Sequence, residues 1–563
     1  MDDAVWLLSP DRDEARTIAS ELGIPLPIAR VLVNRKILDP AAAHKFLYGT
    51  MDDFNDPFLF SGMAAAVARI EAALARGEKI LIFGDYDVDG ILSVVMLHKA
   101  LTTLGGTVDY FIPERLKDGY GIKDEHVAVV LERGARLVIS VDCGIKAGGF
   151  VRLAAEAGVD VIVTDHHLPG ADLPPAAAIL DPVVEGAGYP EKNLAGVGVV
   201  FKLIQALLEK AGKARPLRHY LKLVALGTIS DIAELRGENR LFVRHGLKEL
   251  ESVSNPGLRS LIDVCGLLGK KISEGDVGFR LGPRINAAGR MGDTELAVRL
   301  FFATSDRETM DIARRLDALN AKRQQAEEKI FKQAAERVRA QRYDAKYKIL
   351  ILGCEEWQRG IVGIVASRLK DVFRRPVILF AYEDGRAFGS GRSISEFSLI
   401  DCLEESRGRF LSYGGHKYAV GCTLKREDLH EFRCGANAVA EARLTDEELK
   451  KKLRLDAALG FADIDPAFLD AYARLAPFGV GNARPVFLTE RAEVAAAPQT
   501  MQGKHLKLRL RRDGRTFEAV GWDRAAWAER ISQGDRIDVA YSLLFSSYLG
   551  EDKLQLSLEG ARR

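Results

Sequence analysis

The sequence predicts an α/β multidomain protein. It reads as a parallel-sheet domain and a smaller α/β domain joined by a long helix, with a small β-barrel at the end. Three observations predict this. Between about residues 63 and 163, short apolar runs alternate with helical segments, the pattern of a parallel sheet covered on both faces. Thr304–Arg342 is a long, mostly polar, proline-free helical stretch of the kind that bridges domains. Beyond about residue 485 come several short strand-like segments close together, as in a small barrel. A length of 563 residues accommodates about three or four domains.

Composition narrows the class. The chain is 47% hydrophobic and 28% charged, within the range of globular proteins. Its 80 basic and 79 acidic residues leave a formal net charge of +1, so any contact with nucleic acid must come from local patches. The start, Met-Asp-Asp-Ala-Val-Trp, lacks the basic and apolar regions of a signal peptide. No apolar run approaches the roughly 20 residues of a membrane span. The six cysteines are scattered without metal-binding spacing and read as free thiols in a reducing cytoplasm.

Taken in order, residues 1–48 read as an N-terminal helical cap on the next domain. Ala15–Leu22 and Pro27–Leu38 carry apolar residues at helical spacing, and Asp39-Pro40 punctuates them. Residues 49–303 hold the parallel sheet. Met63–Ala75 is a helix, Ile80–Phe83 a strand and Ile91–Leu104 a helix. Val108–Ile112 is a strand and Glu125–Arg133 a helix. Leu137–Val141 and Val159–Val163 are strands with a helix between. Residues 304–342 are the connecting helix. Residues 343–445 form the second lobe, with strands Tyr347–Leu352 and Val377–Phe380. Gly389–Ser393 and Gly414–Gly421 read there as glycine-rich turns. Residues 446–563 form the last domain. In His505–Arg511, Lys507, Arg509 and Arg511 alternate with leucines, so one face is core and the other positive. Trp522, Tyr541, Phe545 and Tyr548 lie near it. A basic groove with aromatic platforms suits single strands without sequence preference.

The chemistry gathers at the ends of apolar runs. Ile80–Phe83 is followed by Asp85, Asp87 and Asp89. Val141 is followed by Asp142, Val163 by Asp165, His166 and His167, and the run Leu223–Ile229 by Ser230 and Asp231. Ligands of open α/β sheets bind beyond the carboxyl ends of the strands. Crowded carboxylates repel one another unless cations share the charge. A lone strand-end Asp is ordinarily a helix cap; acids and imidazoles at successive ends are not so explained. Carboxylates with imidazole make a mixed O/N site suited to Mn²⁺ or Mg²⁺, and there are too many acids for one ion.

These motifs (Asp-Tyr-Asp-Val-Asp-Gly, Val-Asp-Cys-Gly, Asp-His-His and Gly-Thr-Ile-Ser-Asp) resemble the DHH phosphoesterase superfamily. Within it the chain is most similar to the RecJ family of single-stranded-DNA exonucleases. Pro113–Gly121 and Leu281–Arg290 look like that family's additional motifs, and Gly414-Gly415-His416 like the signature of a DHH-associated domain facing the metal lobe. Smaller members carry a histidine where this chain has Phe83, which leaves open which of Asp85, Asp87 and Asp89 coordinate.

The resemblance implies a 49–303 DHH domain, a 343–445 DHH-associated domain and a 446–563 oligonucleotide-binding (OB) barrel. It implies two Mn²⁺ or Mg²⁺ ions on Asp85, Asp87, Asp89, Asp142, His166 and Asp231, with Asp142 bridging, His167 facing the substrate phosphate and Asp165 orienting a neighbouring histidine. Arg115, Tyr120, Ser390 and Arg392 would sit near the 5′ phosphate. Arg284, Asn286, Arg290, Gly414, Gly415 and His416 would hold the phosphates beyond it. The implied activity is 5′→3′ hydrolysis of single-stranded DNA to mononucleotides in recombination and repair. A single-strand-binding protein and a helicase are the implied partners, and a monomer the implied state. The competing readings are a phosphodiesterase of short oligoribonucleotides or cyclic dinucleotides, and an inactive replication scaffold.

Overall fold

The computed structural model describes residues 4–114, 119, 121–213, 217–546 and 553–563. A short strand, Val5–Leu8 (β1), opens the described chain and pairs in parallel with Lys452–Leu455. Helices Asp13–Leu22, Leu26–Asn34 and Pro40–Tyr48 come next. Their apolar faces, including Ile18, Leu32 and Leu47, share one core with the C-terminal residues Phe468, Leu508 and Tyr541. The expected cap on the next domain is therefore corrected. The segment packs chiefly on the barrel far along the chain, because that is where its apolar stripe finds an apolar partner. Arg240 of the first lobe joins the two. It is 1% exposed, stacks on Phe46, and donates to the carbonyls of Phe46, Arg474, Leu475, Ala476 and Pro477.

The first lobe is built on five parallel strands: Lys79–Gly84 (β2), Thr107–Phe111 (β3), Leu137–Val141 (β4), Asp160–Thr164 (β5) and Ala178–Leu180 (β6), in the order β3-β2-β4-β5-β6. Ile80 to Gly84 and all of β4 are buried, as strands between two helical layers must be. Register aligns the strand ends. Gly84 pairs with Val141, Val141 with Thr164, and Thr164 with Leu180. The next residue of each strand is an aspartate: Asp85, Asp142, Asp165 and Asp181. Four carboxylates thus leave the sheet in one row. Helices Val88–Thr103, Gly196–Lys210 and Leu217–Ser230 pack together on one face.

Leu223–Ile229 is not a strand end but the last half of the Leu217–Ser230 helix, buried from Tyr220 to Thr228. A short, wholly apolar run does not distinguish strand from buried helix, and the longer helix prevails here. Asp231 reaches the sheet edge from that helix's C-terminus.

A 35-residue helix, Asp306–Ala340, spans about 52 Å and leads to the second lobe. Its strands are Leu350–Cys354 (β7), Val377–Glu383 (β8), Arg386–Arg392 (β9), Phe410–Gly415 (β10) and Ala419–Lys425 (β11), ordered β10-β11-β9-β8-β7. The stretches read as glycine-rich turns lie largely in β9, β10 and β11. Most of their glycines are strand residues, with the hairpin turn at 416–418 between β10 and β11.

The last sheet contains Lys452–Leu455's neighbour Ala457–Ala458, then Phe487–Val494, Gln499–Met501, His505–Arg512, Arg515–Gly521, Arg536–Ser546 and Lys553–Arg562. Pairing of Phe487–Val494 with both Arg536–Ser546 and His505–Arg512 closes five of these strands into an OB-like barrel.

Candidate metal centre

The row of acids is set by strand ends and fixed by backbone amides. Asp142 takes a left-handed backbone at φ 59° just past β4, held by its own N–H on the Thr164 carbonyl. A non-glycine residue in this region costs about 1–3 kcal/mol and persists where the surroundings enforce it. Asp87 caps the Val88–Thr103 helix, accepting from the N–H groups of Asp89 and Gly90. Asp89 lies in the first turn of that helix, fully buried. Its two oxygens accept from the Gly196 and Val197 amides at 2.7 and 2.8 Å, the first turn of the Gly196–Lys210 helix. Gly90 lets the helix start close against the strand end: a Cβ there would lie 2.5 Å from the Asp85 carbonyl.

His166 stands among the acids. Its Nε2 is 3.0 Å from Asp142 Oδ1, 3.8 Å from Asp89 Oδ2 and 3.9 Å from Asp231 Oδ2. Among the described residues, three sets of ligand-type atoms each lie within 4.8 Å: Asp85, Asp87 and Asp142; Asp142, His166 and His167; Asp89, His166 and Asp231. Asp142 and His166 each belong to two sets. Asp165 serves differently. It accepts from the amides of Ile145, His166 and His167, and its Oδ1 is 2.7 Å from His167 Nδ1.

Electrostatics reflects this crowding. Burial, with the charges of Asp89 and Asp87, holds Asp142 well above the ordinary carboxylate range. Burial pushes Asp89 up to about 6 and raises Asp231. Burial works against a charged His166, but its contact with Asp142 and the charges of Asp231 and Asp89 outweigh it and pull the imidazole up. Burial likewise opposes ionisation of Asp165, yet bonds from His167 and the Ile145 amide hold it below its usual value. Three acids and an imidazole thus crowd one pocket at a cost in charge repulsion. All are oxygen or imidazole donors. This is what a pair of hard divalent cations fits, and what their binding would relieve.

The second lobe faces this centre. Burial and the nearby charges of Lys146 and His167 hold exposed His416 below its ordinary value. Between the lobes runs a cavity of about 660 Å³, lined by Tyr86 and Gly119 on one side and Arg359, Ser390, Tyr413 and Gly414 on the other. Arg392 donates to Ser390 Oγ and the Gly391 carbonyl. Both side chains lie beside Gly363, in the first turn of the Val362–Phe373 helix.

Other expected contacts fall elsewhere. Arg284 is engaged by Asp317 and the Arg280 carbonyl. Asn286 accepts from the Val88 amide, so it steadies the loop that carries Asp87. Arg290 donates across the lobes to the Gly360 carbonyl. Arg115 and Tyr120 lie outside the described residues, as does Tyr548. In the barrel, Tyr541 is buried and is no platform, whereas Trp522 and Phe545 are about half exposed. Lys507 and Arg511 pair with Glu518 and Glu493, which dilutes the positive face.

Sequence reasoning missed three contributors. Asp181 completes the row after β6; burial holds its carboxyl up at about 6, with the charge of Asp165 adding. Gly196 and Gly227 seat Asp89. A Cβ on Gly196 would lie 3.0 Å from Asp142 Cβ, and one on Gly227 2.6 Å from both Val197 methyls and 3.1 Å from Asp89 Oδ1.

Fold and centre together define a two-lobed DHH protein, with acids and imidazoles at one sheet edge and a glycine-rich second lobe opposite. The comparisons agree. The DHH family N-terminal domain matches residues 79–228, the DHHA1 domain 346–442 and the RecJ OB domain 455–560. The single-stranded-DNA-specific exonuclease RecJ of Bacillus subtilis is 38% identical over 98% of this chain and 70% of its own length. That of Escherichia coli K12 is 34% identical over 89% and 90%. The crystal structure of RecJ with Mn²⁺ from Thermus thermophilus superposes with a TM-score of 0.85 at 31% identity, covering all of this chain and 80% of that one. A Mg²⁺ complex from the same organism is also similar, with a TM-score of 0.79. The chain belongs to the RecJ family.

Proposed function

We propose that this protein is a single-stranded-DNA-specific exonuclease that hydrolyses phosphodiester bonds from the 5′ end, releases 5′-mononucleotides, and serves recombination and repair. The row of strand-end acids around His166, in a chain of the RecJ family, carries the reading. Asp85, Asp87, Asp89, Asp142, His166 and Asp231 would hold two Mn²⁺ or Mg²⁺ ions, and Asp142, the central acid of the family's second motif, would be the ligand they share. Bound there, the ions supply Lewis-acid stabilisation of charge on the phosphoryl and leaving oxygens. The chain's own residues do the rest. Ionised Asp165 keeps a proton on His167 Nδ1, which leaves Nε2 to face the scissile phosphate. His416 approaches from the second lobe.

Ser390 and Arg392, with Arg115 and Tyr120, grip the 5′ phosphate; a guanidinium forks onto phosphate with matched geometry. Gly414 and Gly415 let the strand's backbone pass close to β10. Arg290 holds the lobes together and borders the same path, and Arg284 and Asn286 support it from behind. The cleft admits one strand and excludes duplex, and the barrel of residues 446–563 guides that strand in. A single-strand-binding protein and a helicase supply the substrate in the cytoplasm, and the enzyme acts as a monomer.

Digestion of end-labelled oligonucleotides tests the reading. A 5′-phosphorylated single strand with Mn²⁺ is expected to yield labelled mononucleotide from the first turnover. Equal digestion of a 5′-blocked strand, or a preference for duplex, refutes the polarity or the strand specificity.

A further inference from the structure

A second cavity, of about 640 Å³, opens on the first lobe at the far ends of the helices that carry the metal centre. Its lining includes His98, Lys99, His219, Tyr220, Lys222 and Phe302. Lys99 stands ten residues beyond Asp89 on the Val88–Thr103 helix, about 15 Å along it. Lys222 stands nine residues before Asp231, about 14 Å along the Leu217–Ser230 helix.

Among the described residues, no aspartate or glutamate lines this cavity. Lys222 is 6% exposed, and its ammonium has no hydrogen bond or ion pair among the described residues. The carboxylate nearest in charge is Glu249, already held by Arg218 at 2.5 Å. Lys99 donates to the Phe301 carbonyl at 3.2 Å and to no carboxylate among the described residues. Burial lowers both ammonium groups, and the Lys222 charge lowers Lys99 further, so the two lysines feel each other across the cavity. The start of the Pro256–Val264 helix borders the same space and adds its positive end. Tyr220, Phe301 and Phe302 supply an apolar wall, and His98 lies 4.8 Å from the Phe302 ring.

Buried cations without a counter-ion destabilise a fold. Buried Lys222 and partly buried Lys99, beside a helix N-terminus and an aromatic wall, in a space of ligand size, complement a dianion on a flat body. We propose that this cavity binds a phosphate monoester carried on an aromatic base, the chemistry of a nucleoside 5′-monophosphate. The inference rests on the exonuclease reading only for the source of such a ligand, which is the product released at the other end of the same helices.

The test is calorimetric titration of dAMP into the intact protein in EDTA, which separates it from nuclease turnover. Wild type is expected to bind dAMP more tightly than inorganic phosphate or deoxyadenosine. Lys222→Met is expected to weaken dAMP at least tenfold, the rim variant His219→Ala by a smaller factor, and the cleft variant Arg392→Ala to retain the site. Unliganded Lys222→Met is expected to melt no lower than wild type, and to digest single strands at the wild-type rate. Absence of dAMP binding, equal binding by Lys222→Met and His219→Ala, or loss only in Arg392→Ala overturns the proposal. Retained dAMP binding by a protein that fails the oligonucleotide assay refutes the nuclease reading and leaves the pocket standing.

Discussion

The two faces that meet across the cleft are built by opposite rules. On the first lobe Asp87, Asp89 and Asp165 are held by main-chain amides, and there is little space to spare: Gly90 and Gly227 lack room for a methyl group, and one on Gly196 would stand 3.0 Å from Asp142 Cβ. On the second lobe, Gly414 and Gly421 have nothing within 4 Å of the position a Cβ would take. Dense packing fixes charges to a fraction of an ångström where bonds are broken. Open glycine surface leaves room where, on the proposed function, a flexible polymer would slide past. The contrast divides the reaction between positioning and passage.

Four measurements would break or sharpen that contrast. The largest effect is expected at its densest point. Asp142→Asn removes the shared ligand and should lower the rate of single-strand digestion about 10³-fold, with the fold retained by circular dichroism. Gly196→Ala should come next. Its methyl group would press on Asp142 and Asp89 and weaken Mn²⁺ binding about 10–100-fold by titration calorimetry, the scale of losses when the support of a metal ligand is disturbed. Unchanged affinity would show that the packing around Asp89 is not what sets the centre.

The third measurement is a pH series of melting curves in EDTA. Asp89, raised to about 6, binds a proton in the folded chain that the unfolded chain has released by about pH 4. Stability should therefore fall between about pH 4 and 6, on the order of 2 kcal/mol for this group. The raised His166 continues the loss as pH rises through its folded pKa. Saturating Mn²⁺ should reverse the slope, because ligation requires the deprotonated groups.

The smallest effect distinguishes two neighbouring glycines. Gly415 sits at φ 137° with the Ala419 carbonyl where a Cβ would go, so Gly415→Ala should cost about 1–3 kcal/mol of stability. Gly414→Ala meets open space and should change stability by less than about 0.5 kcal/mol, while its methyl group, standing on the strand's proposed path, should slow digestion.

Much of the first lobe was legible because its signal is local. An apolar run followed by Asp reads as a strand end, and Asp85, Asp142 and Asp165 announce themselves this way. Asp181 escaped because Ala178–Leu180 has three residues, too few to show a period. Asp231 was placed correctly at the edge of the site but on the wrong element, since an all-apolar run carries no periodicity to separate helix from strand. Gly196 and Gly227 are more than 100 residues from Asp89 in sequence, so nothing local reveals that they seat it. The same blindness to long-range partners hid the contact of Arg284 with Asp317, and read Tyr541 as a platform when the barrel core covers it.

Arg240 has one more consequence. A cation sunk among five carbonyl groups, pushed down to about 9 by its burial, cannot swap partners without stranding them all. The barrel is thereby clamped to the nuclease lobe at a set angle. On the proposed function, a strand passing from one to the other would meet a geometry laid down at folding, and any slack would have to come from the nucleic acid.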